Sequence, residues 1–286
     1  IMPYSDQKKG MLLAFTAIMF ITPDSLFIRL ANLNSWNLIF YRGFIPFIIV
    51  LVGLLIIYRT KFISQLIENG WHGVAYASVF AITNIFFVIS IENTNVANTL
   101  IMIALAPMLS AVISFIFLKE KTEQKTWIAI IATTLAVIYI FNDSFERGDV
   151  LGNVLGLVCA TGLAVGAVII RSAKKISLVP SAMMGKLMVT LIALLFADNL
   201  VLKGNDTIII PLMCIMCVAI PFVLITLAPR FISAAEVNLF FLLETILGPL
   251  WVWFVIKEQP STETIFGGIV IIATIATHSF LNLKKT

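Results

Sequence analysis

Long apolar runs separated by short polar segments fill almost the whole chain. A helix needs about twenty apolar residues to cross the hydrocarbon core of a bilayer, and ten runs approach that length. The polar segments between them are too short to form a soluble domain. The pattern therefore predicts an all-α integral membrane protein with ten transmembrane helices, at residues 10–30, 36–58, 70–91, 95–118, 125–142, 150–171, 179–202, 208–229, 234–256 and 263–282.

The composition agrees with a membrane protein. Hydrophobic residues make up 60% of the 286 residues and charged residues 12%, whereas soluble domains carry about 25% charged residues. The mean hydropathy is +1.05. This composition excludes a soluble enzyme or a nucleic-acid-binding module. The expected partners are membrane lipid and a small molecule, with no nucleic acid and no obligatory protein partner.

Basic residues are distributed unevenly between the predicted loops. With ten spans, 13 of the 19 Lys and Arg residues fall on the side of the termini and 4 on the other side, while Arg42 and Lys186 lie within spans. Cytoplasmic loops carry the excess of Lys and Arg. We therefore expect a multi-pass protein of the inner (plasma) membrane whose N- and C-termini are both cytoplasmic.

The two halves of the chain share motifs. Arg29 and Arg171 follow similar apolar segments in the first and sixth spans, and a Lys-Glu pair ends both the fourth span (119–120) and the ninth (257–258). An odd number of helices per repeat places the two copies in opposite orientations. We predict two inverted five-helix repeats, residues 1–145 and 146–286, an arrangement typical of transporters. Chance similarity between apolar sequences is the alternative explanation.

Several local motifs carry a family resemblance. They are Tyr41-Arg42-Gly43, Ala106-Pro107-Met108, Leu243-Glu244 with Gly248-Pro249, and Gly267-Gly268. In order and spacing they resemble the EamA type of the drug/metabolite transporter (DMT) superfamily. The resemblance implies ten helices in two inverted repeats and movement of small metabolites by alternating access, with export favoured where the substrates are amino acids. It leaves the substrate open, because the superfamily spans amino acids, nucleotide sugars, organic cations and drugs.

Four charged side chains lie inside apolar spans: Asp24, Arg42, Lys186 and Glu244. A charge in the bilayer costs at least ~2.5 kcal/mol by insertion scales, so it persists mainly beside a watery cavity or a partner. Glu244 lies about ten residues, or ~15 Å, into the ninth span, near the middle of the bilayer. There it could exchange a proton or bind an organic cation, or it could pair permanently with a base.

The other three charges leave alternatives open. Asp24 follows Pro23, which should kink the first span. Asp24 and Arg42 lie at matching depths, so they could form an ion pair, or Arg42 could clamp a substrate carboxylate. Lys186 is close to the mirror position of Arg42 in the second repeat. It could face the cavity or extend to the cytoplasmic surface.

Asn84, Asn238 and Trp251 complete the predicted binding residues. Asn84 is in the middle of the third span, and Asn238 lies six residues before Glu244. Trp251 could belong to an interfacial aromatic belt or form a wall over an ammonium group. Other residues of the third and sixth spans are interpreted as packing residues, the glycines as a face for close helix contact: Tyr76, Phe80, Phe87, Gly152, Gly156, Gly162 and Gly166.

These features favour a secondary transporter for a small polar, zwitterionic metabolite such as an amino acid, with proton coupling as one option. No cofactor or metal is expected, and no Gly-x-x-x-x-Gly-Lys sequence is present. The alternatives are a carrier for an organic cation or a nucleotide-like metabolite, and a channel. A membrane enzyme is disfavoured, because the two histidines, His72 and His278, both lie near membrane ends.

Overall fold

The computed structural model describes residues 4–59, 62–118, 124–173, 176–228, 231 and 234–283. Within these ranges the secondary structure is helical and contains no β-strand. A π-helix, Cys214–Ala219, joins α11 to α12. The helices are α1 Tyr4–Ile21, α2 Asp24–Leu30, α3 Ser35–Tyr58, α4 Phe62–Glu68, α5 Gly70–Asn93, α6 Val96–Ile103, α7 Ala106–Leu118, α8 Gln124–Arg147, α9 Val150–Ser172, α10 Val179–Leu194, α11 Asp206–Met213, α12 Ile220–Leu227, α13 Ala234–Ile256 and α14 Thr262–Leu283.

The helices confirm the prediction of an all-helical, multi-pass membrane protein. Six segments are long and apolar enough to cross a bilayer: Lys8–Leu30, Ser35–Tyr58, Gly70–Asn93, Val96–Phe117, Val150–Ser172 and Asp206–Leu227. Shorter apolar helices occupy the other four predicted positions: Trp127–Ile140, Val179–Leu194, Leu243–Ile256 and Thr262–Thr277. The count of ten spans stays a prediction.

Three of the predicted spans are interrupted within their length. The first breaks at Thr22 and Pro23, as expected from a proline without an amide hydrogen. The fourth breaks at Ala104 and Leu105, and the eighth passes through the π-helix. Irregular backbone at membrane depth is tolerated only where protein buries it or where it lines a cavity. The breaks therefore indicate which parts of the helices face the protein interior.

The seventh span is shorter than predicted. The prediction was 179–202, but α10 ends at Leu194 and residues 197–203 are not helical. Asn37, near the start of α3, binds this segment: its Nδ2 donates to the Asn199 carbonyl at 2.7 Å, and the Asp198 amide donates to its Oδ1 at 3.2 Å. Asn37 on α3 thus binds backbone groups that would pair within α10 if that helix were longer.

Polar contacts define two ends of the bundle. At the end that we name distal, residues 29–37 contact residues 92–95, 198–206 and 258. At the opposite, proximal end, Asn69 Nδ2 donates to Ser181 Oγ at 2.8 Å. The ends of α3 and α9 belong to the same apolar cluster as the start of α10 and therefore also lie at the proximal end.

Two pairs of helices, α3 with α10 and α8 with α14, pack antiparallel. Along α3, Asn37 contacts Asn199, while Leu54 belongs to the same packed cluster as Val179 at the start of α10. Gly267, near the start of α14, lies so close to Ile140 in α8 that a Cβ there would be 2.6 Å from Ile140 Cγ1. In each of these two pairs, the helices therefore run in opposite directions.

The glycines of α9 allow the close packing that the sequence predicts. A Cβ at Gly152 would lie 2.6 Å from the Cβ of Thr94, and one at Gly156 would lie 3.1 Å from the Cβ of Met102. The small residues thus let α9 approach α5 and α6, as small residues do between membrane helices.

Candidate functional site

A cavity of about 190 Å³ lies among the helices of both halves. Its walls are mostly apolar. They are formed by the break after α1, the end of α6 and the helices α3, α5, α9, α10, α12 and α13. All four charged residues predicted inside the spans line it: Asp24, Arg42, Lys186 and Glu244. The structure thus brings together charges that are far apart in the sequence.

The cavity extends closest to the proximal end along α9, whereas along α5 its lining, from Tyr76 to Phe87, stops six residues from either end. On α9 its lining reaches Ile170, two residues before the helix ends at the proximal end. Towards the distal end the lining stops at Asp24 and Phe87, each six residues before its helix ends. At 1.5 Å per residue, about 9 Å of packed helix separates the cavity from the distal end.

Asp24 and Arg42 form a buried, bidentate ion pair. Arg42 Nη1 lies 2.6 Å from Asp24 Oδ1, and Arg42 Nη2 lies 2.7 Å from Asp24 Oδ2. The break at Pro23 makes Asp24 the first residue of α2 and brings it level with Arg42 on α3. Arg42 also contacts the Met213 sulfur at 3.4 Å. Of the two interpretations left open by the sequence, the structure contains the internal pair, in which each charge compensates the other.

Lys186 is buried and does not extend to the surface, so the snorkelling alternative does not describe this structure. Its exposed fraction is 1%. Nζ donates to Asn84 Oδ1 at 2.5 Å and lies 5.3 Å and 5.9 Å from the ring centroids of Phe80 and Phe222. Asn84, a predicted site residue, thus positions the ammonium group. Among the described residues no carboxylate pairs with Lys186.

Glu244 faces the same cavity from α13 and is 5% exposed. It forms no ion pair with any side chain in the described part of the chain. The Asp24–Arg42 pair lies within electrostatic range of both Glu244 and Lys186, but its two charges already compensate each other. Glu244 and Lys186 are therefore the two cavity charges to which the described residues supply no counter-ion.

Trp251, a predicted site residue, does not line the cavity. Its Nε1 donates to Thr22 Oγ1 at 3.3 Å, and the ring is half-exposed on the outside of the bundle. Trp251 lies two helical turns, about 10 Å, beyond Glu244 towards the distal end. The cavity ends before that level, so the predicted aromatic wall is not provided by this residue.

Two residues named from the sequence cannot be placed. The side chains of Asn238 and His278 lie outside the described residues, although both positions belong to helices, α13 and α14. The other histidine, His72, is exposed near the start of α5.

Three of the aromatic residues that line the cavity are ones that the sequence pattern led us to interpret as packing residues. Tyr76, Phe80 and Phe87 line the cavity, together with Phe222 and Phe241. Ring centroids are 5.8 Å apart both between Tyr76 and Phe80 and between Phe80 and Phe222. The three α5 residues recur at helical spacing on the face that also carries Asn84, and that spacing was the signal available in the sequence.

The site has the chemistry of a binding pocket for a small molecule. It offers one cation, one carboxylate, the Asn84 amide and aromatic surface. In the part of the chain that the structure describes, no group of three or more His, Cys, Asp or Glu residues could hold a metal ion.

Comparisons with known proteins give a family and a fold. The family model described as the EamA-like transporter family matches residues 8–142 and, a second time, residues 147–280. A solved structure titled "Crystal structure of protein" is similar with a TM-score of 0.68 and 15% identity, and the match covers 96% of this chain and 97% of that chain. At this identity the likeness concerns the fold alone. No curated protein matches the chain significantly.

Proposed function

Since the chain belongs to the EamA-like transporter family, we propose that it is a secondary transporter for a small zwitterionic metabolite, such as an amino acid. The observation that carries the proposal is that Lys186 and Glu244 line one cavity without a counter-ion among the described residues. The carboxylate of an amino acid would pair with Lys186, and its ammonium group with Glu244. Each buried charge would then gain the partner that it lacks.

The charge balance of the cavity favours a zwitterion over an ion of one sign. Asp24 and Arg42 cancel each other, so they present no net charge to a ligand. An organic cation would compensate Glu244 and leave Lys186 without a partner, whereas an anion would do the reverse. A nucleotide-like metabolite would bring several negative charges to a cavity with one uncompensated cation.

The rest of the wall favours an apolar side chain on the substrate. Tyr76, Phe80, Phe222 and Phe241 line the cavity together with the two charges. Burial of apolar surface contributes roughly 25 cal/mol per Å². A substrate with a larger apolar side chain should therefore bind more tightly, up to the volume that the cavity accepts.

We propose transport by alternating access of two inverted five-helix repeats, residues 1–145 and 146–286. The antiparallel packing of α3 against α10 and of α8 against α14 supports this arrangement, because equivalent helices of inverted repeats run in opposite directions. The two family matches, which divide between residues 142 and 147, support the boundary. The cavity at the interface of the repeats would then open to one side of the membrane at a time.

The distribution of Lys and Arg supports an inner-membrane protein with both termini in the cytoplasm. In that orientation the proximal end is cytoplasmic, because the first span starts there and ends at the distal end with α2. The cavity of this structure then lies towards the cytoplasm. Glu244 would exchange its bound ammonium group for a proton when the substrate leaves, which would couple transport to a proton gradient.

Counterflow in proteoliposomes tests the proposal. Vesicles that contain the purified protein and unlabelled amino acids are diluted into labelled amino acid, with and without a pH gradient. We expect saturable uptake that requires internal substrate, and its loss in Glu244→Gln and Lys186→Gln. Glu263→Gln and Lys257→Gln, which change the same groups outside the cavity, should retain it.

Three outcomes would contradict parts of the proposal. Uptake that does not saturate and needs no internal substrate would indicate a channel. Unchanged counterflow in both cavity variants would remove Lys186 and Glu244 from the binding site. Counterflow without any response to the pH gradient would remove the proton role of Glu244 and leave an exchanger.

A further inference from the structure

We propose that Arg29 and Glu258 form a latch that closes the distal end of the cavity. The inference rests on the proposed function, because it assigns to these two residues the closure of one end of an alternating-access carrier. Neither of them lines the cavity.

The distal latch is a network of contacts around one carboxylate. Arg29 Nε lies 3.0 Å from Glu258 Oε2, and Arg29 Nη2 donates to Glu258 Oε1 at 3.2 Å. The same Oε1 accepts the Val96 amide at 2.8 Å, at the first residue of α6, and Arg29 Nη2 also donates to the Thr94 carbonyl at 2.8 Å. Three segments, the end of α2, the α5–α6 junction and the segment after α13, are therefore held together by one ion pair.

The network lies where it can hold the distal end of the cavity closed. Arg29, Thr94 and Val96 belong to the first family match, and Glu258 belongs to the second, so the ion pair joins the two halves. It lies at the distal end, beyond the roughly 9 Å of packed helix that separates the cavity from that end. The cavity cannot open distally while α2 and α13 stay joined there.

The exposure of the pair allows it to separate. The Arg29 and Glu258 side chains are 25% and 21% exposed, against 7% and 4% for Arg42 and Asp24. Water can therefore reach both charges when the distal pair opens, so that its separation does not leave an unsolvated ion. Opening of the Asp24–Arg42 pair would leave one. The two ion pairs are thus suited to different roles, one to switching and one to a permanent contact.

Cysteine labelling tests the latch without a transported substrate. The three native cysteines, Cys159, Cys214 and Cys217, are replaced by serine, and Val79→Cys places a single thiol in the cavity wall. A membrane-impermeant maleimide is applied to the distal face or to the proximal face, in intact cells and in inverted vesicles. The rate of modification reports how often the cavity is open to each face.

We expect faster labelling from the proximal face in the latch-intact protein. Arg29→Gln and Glu258→Gln should each raise the distal rate about tenfold, the change that corresponds to 1.4 kcal/mol. The charge exchange R29E/E258R should lower the distal rate only in part, because it restores the ion pair but not the contacts with Thr94 and Val96. Lys257→Gln, beside Glu258 but exposed, is the control for the loss of a charge.

Several results would overturn the proposal. One is an unchanged distal rate in both Arg29→Gln and Glu258→Gln, provided that size-exclusion profiles and proximal labelling show folded protein. Another is an equally large rise in Lys257→Gln, because it would indicate general loosening of the bundle. A protein that labels as expected but shows no counterflow would contradict the proposed substrate and leave the latch intact.

Discussion

Two sets of opposite charges line the same cavity and differ in how they are compensated. Asp24 and Arg42 meet through two hydrogen bonds of 2.6 Å and 2.7 Å, whereas the Lys186 ammonium group is bound by the neutral oxygen of Asn84. Glu244 has no charged partner among the described residues. Both sets are buried to a similar degree. Compensation, rather than burial, therefore distinguishes a structural charge from one that can bind a ligand.

The local backbone explains the difference. The break at Pro23 turns α1 into α2 and places the Asp24 carboxylate opposite the Arg42 guanidinium, whose planar fork binds both of its oxygens. Lys186 and Glu244 are carried by α10 and α13, where their helices continue through these positions. In the described residues nothing brings these two charges together, and the cavity lies next to both.

Arg42→Met should give the largest effect, and it acts on stability. The substitution leaves the Asp24 carboxylate buried without its partner, which typically costs about 3–5 kcal/mol. We expect a large fall in the melting temperature in detergent, followed by static light scattering. The double variant D24N/R42M should recover part of the loss. If Arg42→Met melts like the unaltered protein, the ion pair is not a structural contact.

Glu244→Gln should have the opposite effect, lowering transport and leaving stability nearly unchanged. The substitution removes a buried charge that has no partner, so we expect little or no loss of melting temperature. Transport should fall at least about a hundredfold, since an interaction of a buried ion pair is worth roughly 3 kcal/mol. Counterflow and melting curves on one preparation check both expectations. A fall in stability as large as that of Arg42→Met would show that Glu244 has an internal partner.

Asn84→Leu should weaken substrate binding by roughly tenfold. The amide oxygen holds the Lys186 ammonium group, and a hydrogen bond to a charged group contributes about 1.5 kcal/mol or more. The concentration of amino acid that gives half-maximal counterflow measures the effect. Asn84→Asp is the matched variant: its carboxylate would pair with Lys186 and compete with the substrate, so it should lower affinity further. Unchanged half-saturation in both variants would separate Lys186 from the binding site.

Trp251→Phe should have the smallest effect. The ring lies outside the cavity, and its only described polar contact is with Thr22. We expect counterflow within about twofold of the unaltered rate, the range typical of a residue without contact to the ligand. A loss comparable to that of Asn84→Leu would return Trp251 to the site predicted from the sequence.

The sequence predicts those features that depend on local energetics. A charge within an apolar span is costly wherever the span lies, so Asp24, Arg42, Lys186 and Glu244 could be identified as cavity residues without coordinates. The interruption at Pro23 is local in the same sense, because proline lacks an amide hydrogen.

Features that depend on distant contacts could not be predicted in this way. The end of α10 is set by Asn37, more than 150 residues earlier in the chain, which binds Asp198 and Asn199. An apolar side chain is equally suited to a packed helix interface and to a cavity wall. Only the positions of the neighbouring helices show that Tyr76 and Phe80 line the cavity. The direction of the Lys186 side chain is likewise fixed by Asn84 on another helix.

One set of thermal-shift measurements tests the central claim most directly, because a ligand that binds the folded protein raises its melting temperature. Three matched ligands are compared: an amino acid, its decarboxylated amine and its deaminated acid. The account predicts that only the complete amino acid stabilises the unaltered protein, that Glu244→Gln no longer requires the ammonium group, and that Lys186→Gln no longer requires the carboxylate. Equal stabilisation of the unaltered protein and both variants by the same ligand would contradict it.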